Sequence, residues 1–127
     1  MPHFIVEHSA NLAESNDLQA LSDLIRDAAA ETGVFPLAGI RVRFHSSEIY
    51  TIADGHPENA FVAIVVRLGA GRDTETKNRA GKAVFDAVCG FFDDIMTNGH
   101  MMVSLDMDEN NAELSFKANS VHRRMNQ

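Results

Sequence analysis

Pro2-His3-Phe4-Ile5-Val6-Glu7 stands directly behind Met1. Its apolar, β-favouring centre marks a strand over about His3 to His8, and a proline at the head of a strand sacrifices no ladder hydrogen bond. Removal of Met1 turns Pro2 into a secondary amine held at the end of a rigid strand. An ordinary α-amino group has a pKa of about 7.7–8.0; proline's is intrinsically higher, and burial or nearby cations bring it down. An amine near neutrality serves as a base and then as an acid. Position alone favours the plainer reading, a proline tolerated at a chain start, so the chemistry rests on what the rest of the chain supplies.

Working outward, Asn16 to Thr32 carries Leu18, Leu21, Leu24, Ile25 and Ala28 at helical spacing. Asn16 is the expected cap, with Gln19 reaching back, and Gly33 and Pro36 are the stop. In Gly39 to His45, Ile40, Val42 and Phe44 alternate with Arg41, Arg43 and His45, the pattern of a half-buried strand with one cationic face. The order then recurs. Ala60 to Leu68 is a β-branched run, Thr74 to Asn98 has Ala80, Val84, Ala87, Val88, Phe91 and Ile95 at helical spacing, and Met101 to Met107 alternates. Strand, helix and strand occur twice, each set about the length of one βαβ unit with parallel strands.

The expected fold is therefore α+β: a duplicated βαβ chain with one four-stranded sheet and both helices on one face. Short additional strands are expected near Glu48–Ile52 and Glu113–Lys117. Residues 1–127 read as one domain, with pseudo-repeat halves at about 2–55 and 60–117. A sheet covered on one face must hide the other, and closed cyclic association is the expected solution.

The net charge of −7 among 127 residues argues against nucleic acid or an anionic membrane as main partner. No apolar run has transmembrane length and no signal segment is visible, so the default compartment is the cytoplasm. The single cysteine, Cys89, lies among Val88, Phe91 and Phe92 and reads as a packed thiol. His3, His8, His45, His56, His100 and His122 form no helical His pair or Cys/His motif, so no metal is expected. Asp106-Met107-Asp108-Glu109-Asn110 opens like a calcium loop, yet Asn111 stands where glycine is needed and Lys117 where glutamate is needed.

Five ordered blocks carry a family resemblance: Met1–Glu7, Phe35–Arg41, Ala53-Asp54-Gly55, Gly69-Ala70-Gly71-Arg72, and Phe116-Lys117 with Asn119, Val121 and His122. With them, the chain resembles the tautomerase superfamily over nearly its whole length. The resemblance implies a tautomerase-like fold and a homotrimer. It also implies an isomerase of bacterial homoprotocatechuate degradation that moves one proton along a dienol tricarboxylate, without organic cofactor or metal. Pro2 would be the acid/base, and Arg41 and Arg72 would grip carboxylates of the enol substrate.

Arg43 and His45 share the face of Arg41, where a solvated or intersubunit role is the stronger reading. Lys117, Asn119 and His122 belong to the last block and line either the site or a subunit contact. Gly69 to Arg72 also leads into the second helix, whose free N–H groups and dipole would favour an anion. Two other functions stay open: a tautomerase for a different 2-keto acid enol, its pocket reshaped by Ser46, Ser47 and Tyr50, and a non-catalytic trimeric anion-binding module.

Overall fold

The computed structural model describes every residue from Met1 to Gln127. The main elements are β1 (His3–Ser9), α1 (Leu18–Glu31), β2 (Arg41–Ser47), β3 (Ala60–Leu68), α2 (Thr74–Phe91), α3 (Asp93–Thr97), β4 (Met101–Glu109) and α4 (Ser120–Met125). Strands lie in the order β2-β1-β3-β4; β1 with β2 and β3 with β4 are parallel, and the central β1–β3 pair is antiparallel. Two βαβ units thus meet along their first strands, as the doubled pattern predicts.

Period-two alternation sorts the sheet's side chains. Phe4 and Val6 of β1 and Val62, Ile64 and Val66 of β3 are buried under Leu21, Ile25 and Ala29 of α1 and Ala80, Val84 and Val88 of α2. On the uncovered face, register builds cross-strand rows. One runs Arg41, His3, Arg67, Asp108, and the next Arg43, Ile5, Val65, Asp106. That face is therefore cationic along β2, apolar at its centre and acidic along β4.

Three expectations are corrected. The cap of α1 is Asp17, whose carboxylate accepts from Ala20 N–H at 3.0 Å, while Asn16 donates back to the Leu12 carbonyl and Gln19 donates to Asp23. Asp17 stands one residue nearer the helix, where its oxygen reaches the third N–H. The second long helix does not run unbroken to Asn98: it ends at Phe91, and Phe92 has φ −101° and ψ 23°. Neighbouring residues on a regular helix point about 100° apart. The break lets Phe92 be buried while Phe91 packs edge-on to it at 5.0 Å and still meets the core.

The short strands at Glu48–Ile52 and Glu113–Lys117 are absent; the first is a bend and the second a 3-10 turn followed by irregular chain. Neither runs along a free edge of the sheet, so no ladder exists to hold it extended, and Ile49 and Phe116 are 95 % and 92 % exposed. No helix is long and apolar enough to cross a membrane.

Candidate active site

Parallel pairing of β1 with β2 brings Arg41 beside the amino terminus. The Arg41 N–H donates to the Pro2 carbonyl at 3.2 Å, and its Nη2 donates to the Met1 carbonyl at 3.1 Å. Gly39, in the tight turn before β2, allows this approach: a Cβ there would stand 3.3 Å from Met1 Cγ. Pro2 itself is buried, on the helix-covered side of β1.

Arg72 reaches the same region from the junction of β3 and α2. Gly71 takes φ +117°, which other residues rarely adopt, and so turns the chain. The Arg72 guanidinium donates to the Gly69 carbonyl at 3.4 Å and the Val34 carbonyl at 3.3 Å, and stands 5.2 Å from the centre of the Phe35 ring. Two of its five N–H groups are occupied, and the others remain for a ligand. At the α2 N-terminus the Asp73 carboxylate accepts from Thr76 N–H at 2.7 Å and so already occupies one of the free N–H groups expected to favour an anion.

The carboxyl-terminal segment closes the cluster. Asn119 donates to the Ala38 carbonyl at 2.9 Å and to Met1 Sδ at 3.3 Å, while its oxygen caps α4 at His122 N–H. Lys117 Nζ and the buried, unpartnered Asn110 Oδ1 lie 3.8 and 4.0 Å from the place a Cβ would take on Gly69. Burial first, then the charges of Lys117, Arg41 and Arg72, hold the Met1 amine below its ordinary pKa. Three cations from three parts of the chain thus act on one terminus.

Not every sequence candidate joins them. Arg43 donates instead to His3 Nδ1 at 2.9 Å on the uncovered sheet face. Burial and then Arg41, Arg43 and Arg67 keep the His3 pKa below the ordinary histidine value, so the ring is the neutral acceptor Arg43 needs. His122 contributes its backbone to the α4 cap, and its ring meets Asn126. Ser46 and Ser47 lie at the far end of β2, and Tyr50 packs edge-on to Phe61 at 6.5 Å, so within one chain none shapes the surroundings of Pro2. Sequence reasoning missed Phe35 as the Arg72 platform and Asn110 as a neighbour of Gly69. The first lies within a quoted block; nothing in sequence marks the second.

An amine flanked by guanidinium and ammonium groups suits proton transfer on a carboxylated substrate. The family model for 5-carboxymethyl-2-hydroxymuconate isomerase matches residues 2–125. The chain is 39% identical to a 5-carboxymethyl-2-hydroxymuconate Delta-isomerase of Escherichia coli over 122 residues, covering 96% of this chain and 97% of that protein. It superposes with TM-score 0.88 on the crystal structure of a 5-carboxymethyl-2-hydroxymuconate isomerase from Deinococcus radiodurans R1, at 30% identity, covering 98% of this chain and 93% of the other. A more distant fold relative, described as a fused 4-OT wild-type symmetric trimer, has TM-score 0.59 at 23% identity, covering 84% and 85%. The chain belongs to the 5-carboxymethyl-2-hydroxymuconate isomerase family.

Proposed function

We propose that this isomerase acts on 5-carboxymethyl-2-hydroxymuconate, with Pro2 as the acid/base once Met1 is removed. The supporting observation is the convergence of Lys117, Arg41 and Arg72 on the amino terminus. With Met1 attached, Pro2 nitrogen is an amide without basicity. As a free amine it takes the 2-hydroxyl proton of the dienol; the C2=C3 and C4=C5 double bonds give way to a C2 carbonyl and one C3=C4 double bond, and the proton returns at C5. No atom is gained or lost, and one amine near neutral pKa performs both transfers. Arg41 and Arg72 hold carboxylates and disfavour the protonated amine. Lys117 and Asn119 line the site, while Arg43, bonded to His3 on the uncovered sheet face, stands outside it.

The uncovered sheet face joins cationic β2 to acidic β4 across an apolar centre. A homotrimer, the assembly described for the fused 4-OT relative, would cover that face and add walls. Intact mass combined with isomerisation of 5-carboxymethyl-2-hydroxymuconate by tag-free protein tests the reading. Turnover confined to protein lacking Met1 is expected; equal turnover with Met1 retained removes Pro2 from the mechanism.

A further inference from the structure

At the opposite end of the sheet from Pro2, about 20 Å away along the seven residues of β1, lies a cluster outside the isomerase site. His56 and Glu58 come from the loop before β3, and His100 directly precedes β4. The two imidazole rings stack with centres 4.4 Å apart, and His100 Nε2 is 3.5 Å from Glu58 Oε2. One donor atom from each of the three side chains lies within 4.8 Å of the others. We propose that His56, Glu58 and His100 form a binding site for a divalent transition ion of the zinc class.

The surroundings prepare this ligand set. Asn59 donates through Nδ2 to the Ile52 carbonyl at 3.1 Å and to Asp54 Oδ1 at 2.8 Å, which fixes its amide with Oδ1 toward His100. His100 Nδ1–H donates to that oxygen at 3.0 Å. The proton is thereby placed on Nδ1 and the lone pair on Nε2, the arrangement that outer partners impose on metal-binding histidines. His56 is the adjustable ligand: its Nδ1 accepts from Glu58 N–H at 3.1 Å, and ligation exchanges that bond for one to the ion. Ligand atoms on a tetrahedral zinc stand about 3.3 Å apart, so from separations of up to 4.8 Å the cluster closes by up to about 1.5 Å on binding. His56 and Glu58 are exposed and free to move that far.

A cavity of about 560 Å³ adjoins the cluster, lined in part by Asn11, Glu14, Glu58 and His100. Asn11 donates to the Asn59 carbonyl at 2.9 Å, but its buried Oδ1 has no partner. Two imidazoles and one carboxylate select a zinc-like ion over calcium or magnesium, which take oxygen shells. Ala60 N–H donates to the His100 carbonyl at 2.8 Å where β3 and β4 begin, so the ion would pin that start.

Chelator-treated, tag-free protein titrated with zinc chloride by calorimetry and against a chromophoric chelator tests the site. One zinc per chain is expected. Binding should weaken at least tenfold in His100→Gln and in Glu58→Gln, and less in His56→Gln. It should be unchanged in His3→Gln, which controls for chelation by the mature Pro2 amine and His3. Zinc should raise the melting temperature of the wild type and not of His100→Gln, while the His100 and Glu58 variants keep their circular dichroism and isomerase turnover. Wild-type affinity no greater than that of the Glu58 and His100 variants, or binding lost with His3, overturns the proposal.

Discussion

At the residue scale, the proposed mechanism gives the amine and its cations separable contributions. Pro2→Ala leaves a primary amine on a looser backbone. Its kcat should fall roughly 100-fold, the size of a general acid–base contribution, with KM little changed; steady-state kinetics on protein of verified mass checks this. Arg72→Ala should lower kcat/KM by about 1.5–3 kcal/mol, the worth of a hydrogen bond to a charged group. Arg72→Lys should not restore it, because an ammonium cannot hold Val34 and Gly69 and also stack on Phe35.

The cations that lower the Met1 amine pKa set an expected pH dependence for the mature Pro2 amine one residue on. The same Lys117, Arg41 and Arg72 charges should disfavour its protonation, so the neutral amine should persist to lower pH and kcat/KM should be lost as pH falls through its pKa. In Lys117→Ala or Arg41→Ala the amine pKa rises and the acidic limb of the kcat/KM profile moves to higher pH. A limb that stays in place excludes these cations from tuning the base.

At the element scale, β1 carries two messages on its two faces. Phe4 and Val6 secure the core, and His3 sits among Arg41, Arg43 and Arg67 on the other side. His3's folded pKa lies below its unfolded value of about 6.5. Its contribution to stability is therefore present above that pH and lost as pH falls through the folded value. Arg43→Gln should raise the His3 pKa, read by NMR titration of the ring. Asp73→Ala removes the α2 cap and should cost about 1 kcal/mol in denaturant unfolding.

The βαβ duplication was legible because β2, β4 and the helices have clear periods of two or 3.6 and because β1 and β3 are apolar, β-favouring runs. The end of α2 was not, because Phe91 and Phe92 both read as core and only packing decides that the helix breaks to seat them. Nor were the absent short strands, whose extended form needs a partner edge that no local pattern reports. Within the site, Arg41 and Arg72 were visible in their blocks. Arg72's hold on Val34 and Phe35, and the meeting of His56 with His100, depend on chain segments far apart in sequence.

At the scale of the whole molecule, the uncovered face combines Val65, 37 % exposed, and Ile5 with flanking charges of opposite sign. Val65→Asp should drive the protein toward monomer in analytical ultracentrifugation and lower turnover with it. An unchanged sedimentation coefficient would show that this face is not the contact between subunits.

Met1 is gripped on several sides: Arg41 on its carbonyl, Asn119 on its sulfur, Gly39 against its side chain. Two of these groups are translated near residue 40 and one near residue 120, and β3, which completes the bracket around β1, is translated only after residue 60. During synthesis the methionine is therefore a loose end, and in the finished fold it is a clamped one. The time available to an aminopeptidase is set by how soon the fold closes around the methionine. Molecules that finish folding untrimmed should resist the peptidase when native and yield Met1 only after unfolding, so the fraction of competent enzyme is decided before the last residues dock.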